Sequence, residues 1–313
     1  MAPASPLVTF TQSHIPEITG TTLLATYATL RHKLTPLGTL SGIAVATLHM
    51  LHPSPAYFWL LIVFFALGTL VTRIGRTAKL HLTQASTGGT GGEGPRTSAQ
   101  VFANSGTACV WILVHAWLVR SSPWVSGVVP LAAGPHWPVL ERVLPVGILA
   151  QYAAVAADTF SSELGILARS PPVLVTAPWK RVPRGTNGGV TVEGLLYGLL
   201  GGFLLTATAG VALRFLPPYV GIGLPLGCLV TLMGLVGSLV DSVLGATVQA
   251  TVVDRGSGRV VEGPGGKRVK VVEGGSRVVE GRDLLTNNGV NFTMAFLASL
   301  LAMGSAYVLG LGL

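Results

Sequence analysis

The feature that most limits what this chain can fold into is a series of long apolar segments separated by short charged connections. Hydropathy, read with Pro, Gly and charge breaks, gives eight. They run about Ile18 to Leu30, Pro36 to Leu51, Ala56 to Thr72, Ser98 to Val119, Val139 to Leu167, Val192 to Leu213, Gly221 to Val248 and Leu284 to Leu313. Several exceed the roughly 20 residues that a helix needs to cross a bilayer. The first is short and the second marginal, so the expected count is about eight transmembrane helices, with seven possible. Charged residues supply 10% of the 313 positions, too few to coat a soluble protein of this length. The expected fold class is therefore an all-α polytopic membrane protein, one membrane domain over residues 1–313. The 41 glycines suit helices that approach closely within a bilayer.

The cations then order these segments. Seventeen of the twenty Lys and Arg lie in alternate connections, and the intervening ones hold only Arg120, Arg142 and Arg214. Such alternation predicts that the cation-rich connections, and with them the active face, are cytosolic. The net charge of +8 then reflects topology. No soluble basic domain or aromatic-interleaved basic stripe exists to carry a nucleic-acid partner. The N-terminus has neither a secretory signal nor a transit pattern, so the endoplasmic reticulum or a related endomembrane is expected. Cys109 and Cys228 sit in apolar stretches and read as small core residues. His49 and His52 read as interfacial.

Two connections have their own character. Residues 75–97, with Ser86-Thr-Gly-Gly-Thr-Gly-Gly-Glu-Gly-Pro, read as a flexible cytosolic linker. Residues 250–283 contain Arg259-Val-Val-Glu-Gly, Lys270-Val-Val-Glu-Gly and Arg277-Val-Val-Glu-Gly. Valine pairs bounded by Gly and charge predict a small β-hairpin or three-stranded cap in the last cytosolic loop.

Acidic residues inside apolar segments are costly, and they mark polar interiors. Asp158, Glu163 and Asp241 stand out. Around Asp241, the residues Gly237, Ser238, Ser242, Gly245 and Gln249 share its helical face, a narrow seam suited to a metal ion or a phosphate. A packing seam explains the Gly and Ser but not the carboxylate. Asp158 and Glu163 are five apart, about 140° around a helix, so they do not share a face, and a simple rim ion pair of Glu163 with Arg169 is the bland alternative. Downstream, Lys180, Arg181 and Arg184 precede a Thr186-Asn187-Gly188-Gly189 turn that leads into an apolar helix, an arrangement suited to anions. An ordinary cytosolic turn is its alternative. Asn104 and Asn288 stand at cytosolic helix ends, where caps are usual, and Asn291 lies one turn inside. Walker A and protein-kinase signatures are absent.

The stretches Leu34-Thr-Pro-Leu-Gly38, Ala157-Asp-Thr-Phe-Ser-Ser-Glu-Leu-Gly165, Trp179 to Val190, Gly237 to Gln249 and Asn287-Asn-Gly-Val-Asn-Phe292 together resemble the transmembrane-protein-nineteen family. That family includes the plant phytyl-phosphate kinase. The resemblance covers about Leu34 to Leu301. It departs at Phe160 and Ser161, where the family more often has Trp or an aromatic followed by Ala. It implies a membrane isoprenyl-phosphate kinase, transferring a phosphoryl group from a nucleotide, with CTP favoured, to a prenyl or phytyl monophosphate. The membrane lipid and the nucleotide are then the partners. On that implication Asp158, Glu163 and Asp241 bind Mg²⁺ and are catalytic. Lys180, Arg181, Arg184, Thr186, Asn187, Gly188 and Gly189 hold phosphates, with Arg73, Lys79, Asn104, Asn288 and Asn291 in support. A lipid-phosphate transporter or scramblase, or a noncatalytic scaffold, would use such residues differently.

Overall fold

The computed structural model describes residues 5–87, 94–119 and 137–313. The helices are α1 (Pro6–Ser13), α2 (Ile15–Leu30), α3 (Pro36–Met50), α4 (Ala56–Arg73), α5 (Arg76–Lys79), α6 (Ser98–Leu118), α7 (Pro138–Gly165), α8 (Val192–Phe215), α9 (Leu224–Val248) and α10 (Asn287–Val308). Six of them, α4 and α6 to α10, are long and apolar enough to cross a bilayer among the described residues. The expectation of eight is corrected at α2 and α3. With 16 and 15 residues they rise only about 24 and 22 Å at 1.5 Å per residue, short of the roughly 30 Å hydrocarbon layer. The ends have local causes. Proline stands at the first turn of α3, and Pro53 and Pro55 follow its last turn, where no helix continues easily. Arg120 lies outside the described residues.

The bundle is built around α7, which packs against α4, α6, α8, α9 and α10. From Val143 to Ala157 every one of its residues is buried. Small residues bring the neighbours in. A Cβ at Gly201 of α8 would stand 2.7 Å from the Ala156 carbonyl oxygen, and one at Gly237 of α9 would meet the Ala154 Cβ at 2.5 Å. The apolar residues left exposed, among them Leu196, Phe203, Val211, Leu224 and Leu232, suit contact with lipid tails. Cys109 is buried, but Cys228 is exposed on α9, correcting its expected place in the core.

At the cation-poor end the histidines form closed chains. The His49 Nδ1–H donates to the Val45 carbonyl at 2.8 Å, so its Nε2 accepts from the Tyr152 hydroxyl at 2.5 Å. His115 Nε2–H donates to the Glu141 carbonyl at 3.0 Å, which leaves His115 Nδ1 to accept from His52 Nε2–H at 2.8 Å. His52 Nδ1 in turn accepts from the Ser54 N–H at 2.9 Å. Each ring is thus fixed in one neutral tautomer. His49 and His52 are buried, because each finds partners on other helices or in the adjoining turn.

Short strands cap the opposite, cation-rich end. Strands β2 (Val173–Leu174), β3 (Ala177–Arg181) and β4 (Gly189–Val190) form one antiparallel sheet in the order β3-β2-β4. Strand β5 (Thr251–Asp254) pairs antiparallel with β7 (Arg277–Glu280), in register from Thr251–Glu280 to Asp254–Arg277. The first valine repeat instead forms β6 (Val261–Glu262), which runs parallel to β1 (Gln84–Ala85), so the two loops of this end hold one another. The middle repeat forms no strand.

Candidate functional site

The close contact of Gly237 with Ala154 sets the level of the two intramembrane aspartates. Helices α7 and α9 both run toward the cation-rich end, and one turn beyond the contact they carry Asp158 and Asp241. Each lies seven residues from its helix end, about 10 Å deep at 1.5 Å per residue. The Asp158 carboxylate acts electrostatically on Asp241. Two like charges in so apolar a place repel each other, and they need a cation or a proton between them.

Helix α10 closes the third side. The hydrogen-bond network turns the Asn291 amide so that its Nδ2 donates to the Asn287 carbonyl at 2.8 Å and to Asp241 Oδ2 at 3.3 Å. The same amide abuts Asn104 of α6 at 3.4 Å, and the Asn104 backbone carbonyl accepts from Gln151 Nε2 at 2.5 Å. Gln249 donates to Asn287 at 3.4 Å. Asn288 turns outward, donating to the Gly265 carbonyl at 3.1 Å, while its own Oδ1 is buried without a partner.

The Thr186-Asn187-Gly188-Gly189 turn sits on the last two turns of α9. Asn187 N–H donates to Thr251 Oγ1 at 3.1 Å and Asn187 Nδ2 donates to the Ala250 carbonyl at 2.8 Å. Gly188 has φ +77°, and a Cβ there would stand 2.4 Å from Ala246 Cβ and 2.6 Å from the Ser242 carbonyl. Only glycine fits, and its fit lays the turn beside Ser242, the neighbour of Asp241. The Thr186 hydroxyl is buried without a partner. Orphaned buried polar atoms are rare in native proteins, and a water, an ion or a ligand can complete their bonding.

Other candidates fall elsewhere. Glu163 faces α4 and α5: Lys79 Nζ lies 2.5 Å from its Oε2, and the Thr72 hydroxyl donates to Oε1 at 3.1 Å. Lys79 also donates to the Val71 and Thr72 carbonyls at 3.3 Å. The ion pair that satisfies Glu163 is therefore with Lys79 and not with Arg169. The three acids do not form one cluster, and no group of three His, Cys, Asp or Glu that could hold a metal ion occurs among the described residues. Asp158 and Asp241, as a pair, remain suited to Mg²⁺, which takes one or two carboxylates and fills its remaining positions with water and substrate oxygens. Arg184 donates to the Ile166 carbonyl at 3.0 Å and the Ser170 carbonyl at 3.4 Å, closing the loose end of α7. Lys180 and Arg181 lie exposed on β3. Arg73 bonds to and stands over Tyr27. Gln151 is not among the candidates read from the sequence, and Asn287 enters that reading only within the Asn287–Phe292 stretch. An amide in an apolar helix was the available signal for Gln151.

The family described as integral membrane protein DUF92 matches residues 19–299. Protein PGR of Arabidopsis thaliana is 33% identical over 299 residues, covering 91% of this chain and 94% of that protein. An uncharacterized membrane protein of Methanocaldococcus jannaschii is 32% identical over 149 residues, 48% of this chain and 50% of its own. Protein VTE6 of Arabidopsis thaliana is 28% identical over 213 residues, 67% of this chain and 56% of that protein. Its name is that of a chloroplast protein, unlike the endomembrane expectation. No solved structure matches. The chain belongs to the DUF92 family of integral membrane proteins.

Proposed function

We propose that this chain is a membrane-embedded isoprenyl-phosphate kinase, taking the terminal phosphoryl group of a nucleotide, CTP first, to a prenyl or phytyl monophosphate. The single observation that carries the reading is the Asp158–Asp241 pair, about two turns below a cation-rich rim and beside a glycine turn. The resemblance to a family that includes the plant phytyl-phosphate kinase supports it. In the reaction an oxygen of the lipid phosphate forms a bond to the terminal phosphorus. The bridging P–O bond breaks, and the nucleoside diphosphate leaves with its electron pair. The acceptor is already an anion, so the main barrier is the repulsion between two phosphates. Mg²⁺, when bound, supplies the neutralising charge there.

This chain's residues would do the rest. Asp158 and Asp241 hold the ion, and Asn291 orients Asp241. The Thr186 hydroxyl, which has no partner, is available to a phosphate at the end of α9, while the Asn187 and Gly189 N–H groups hold the turn in shape. Glu163 and Lys79 brace α7 against α4, so their part is positioning. A transporter is the second reading, but its polar site is expected near the midplane, whereas this one lies near one end of its helices.

Proteoliposomes separate the two. With labelled nucleotide, Mg²⁺ and a panel of phytyl, geranylgeranyl and farnesyl phosphates, the kinase reading expects a lipid diphosphate that appears only with nucleotide. Transfer of lipid phosphate between leaflets without nucleotide, and no diphosphate from folded protein, would overturn it.

A further inference from the structure

A second feature lies beside the carboxylate pair, where the Leu34-Thr-Pro-Leu-Gly38 stretch has so far had no role. A groove runs between α2, α3, α4 and α6 from the cation-rich end to mid-bundle, with apolar walls that include Leu24, Ala46, Leu61, Phe64 and Val101. Its cavity volume is about 90 Å³, and the groove is open along one side. Arg96 lines its mouth and Asn104 its inner wall. The Arg96 guanidinium lies against Gly68, where a Cβ would come within 3.3 Å of Nη2. It makes no ion pair or side-chain hydrogen bond among the described residues.

The leucine-proline stretch holds that arginine. Arg96 N–H donates to the Lys33 carbonyl at 2.9 Å, and the Arg96 carbonyl accepts from Thr35 N–H at 3.0 Å. A Cβ at Gly38 would stand 2.6 Å from the same carbonyl. Lys33 is thereby fixed beside Arg96, within the field of Arg31, Arg73 and Arg76, and none of the five has a carboxylate partner within 4 Å among the described residues. Partial burial and these arginines hold the Lys33 ammonium below its usual range. The hydroxyl of Thr39, which also lines the groove, is buried and unpartnered. An uncompensated cation cluster at the end of an apolar groove fits a ligand that is anionic at one end and hydrocarbon at the other.

We propose that this groove holds the hydrocarbon chain of the lipid phosphate, with Arg96 and Lys33 gripping its phosphate head at the mouth. The inference rests on the kinase reading for the identity of the lipid. Asn104 joins the two places. It stands six residues into α6, about 9 Å from its start, and abuts Asn291 beside Asp241. The Arg96 guanidinium reaches Gly68, five residues or about 8 Å from the end of α4, a depth like that of the carboxylates.

Binding to the full chain in nanodiscs, without nucleotide, tests this apart from catalysis. The probes are geranylgeranyl phosphate, geranylgeraniol, inorganic phosphate and CTP. Wild type is expected to bind the lipid phosphate at least about 10-fold tighter than the alcohol, the margin of one hydrogen bond to a charged group, with inorganic phosphate a weak competitor. Arg96→Gln should remove that preference and leave alcohol binding in place, which also reports a folded groove. Gly42→Phe, on the groove wall, should weaken phosphate and alcohol alike. Gly68→Ala, which displaces the guanidinium without removing it, should fall between wild type and Arg96→Gln. Unchanged lipid binding in Arg96→Gln, or a loss confined to CTP, would overturn the head site. Unchanged binding in Gly42→Phe would overturn the groove. A wild type that binds lipid phosphate as described and yields no diphosphate would sink the kinase reading alone.

Discussion

The two ends of the bundle treat buried polar groups in opposite ways. At the cation-poor end, His49, His52 and His115 are each satisfied by a hydroxyl, a ring nitrogen or a backbone group, and every hydrogen has a defined acceptor. At the cation-rich end, Asp158 and Asp241 stand at one level on packed helices, while Thr39, Thr186 and Asn288 each leave a buried atom without a partner among the described residues. Glu17 at the start of α2, and Thr107, Trp111 and Gln151 in mid-bundle, also carry buried atoms without partners among the described residues, so the contrast concerns clusters and not every residue. A closed network braces a fold. An open one, set two turns deep under concentrated cations, is what the proposed phosphate and metal ligands require.

The largest expected effect breaks the contrast from the open side. Asp158→Asn or Asp241→Asn should lower turnover by about 10²-fold or more, the scale seen when a charge-stabilising group is lost. The melting temperature in detergent should hold or rise, because one of two repelling carboxylates is gone. A parallel fall in stability and activity would make the pair structural. From the closed side, His115→Ala leaves His52 Nε2–H without its acceptor. It should cost about 1–3 kcal/mol of stability, read by thermal unfolding, with kcat/KM per folded molecule unchanged.

Smaller changes sharpen the boundary between the two kinds of group. Lys79→Met strips Glu163 of its ion pair at a site where both side chains are mostly covered, 13% and 25% exposed. A cost of about 1–2 kcal/mol is expected, between the exposed and fully buried cases. Lipid-phosphate binding should be nearly unchanged. Lys33 gives the smallest effect and the most informative sign. Its folded pKa lies below the unfolded value, so the folded state binds fewer protons in that interval, and stability should rise with pH across it. Lys33→Met should therefore flatten the alkaline stability profile while weakening lipid-phosphate binding. A steeper profile would mean that the ammonium is stabilised in the empty protein.

What the sequence revealed followed from rules of short range. Apolar runs marked α4 and α6 to α10, and carboxylates stranded in them marked Asp158 and Asp241. The helical period placed Gly237, Ser238, Asp241, Ser242 and Gly245 on one face, and the structure puts Gly237 against α7 and Gly245 against the glycine turn. The first two apolar segments were overread because composition does not say where a proline-bounded helix stops. The partner of Glu163 was missed because it comes from 84 residues earlier, with nothing in the local pattern to announce it. Arg184 looked like a phosphate ligand, yet it meets the carbonyls that the end of α7 leaves open, a demand visible only once that end is placed. The pairing of Lys33 and Arg96 depends on a backbone bridge between distant segments, which periodicity does not encode.

The central claim is that the carboxylate pair serves phosphoryl transfer to a lipid phosphate. Its most direct test is a single-turnover assay of the purified chain with terminally labelled nucleotide, Mg²⁺ and geranylgeranyl phosphate, with Asp241→Asn run alongside at matched folded fraction. The account predicts label in the lipid diphosphate with wild type and its near-complete loss with the variant, while lipid-phosphate binding persists in both. Equal label in both proteins, or none in a wild type that binds the lipid, would contradict it.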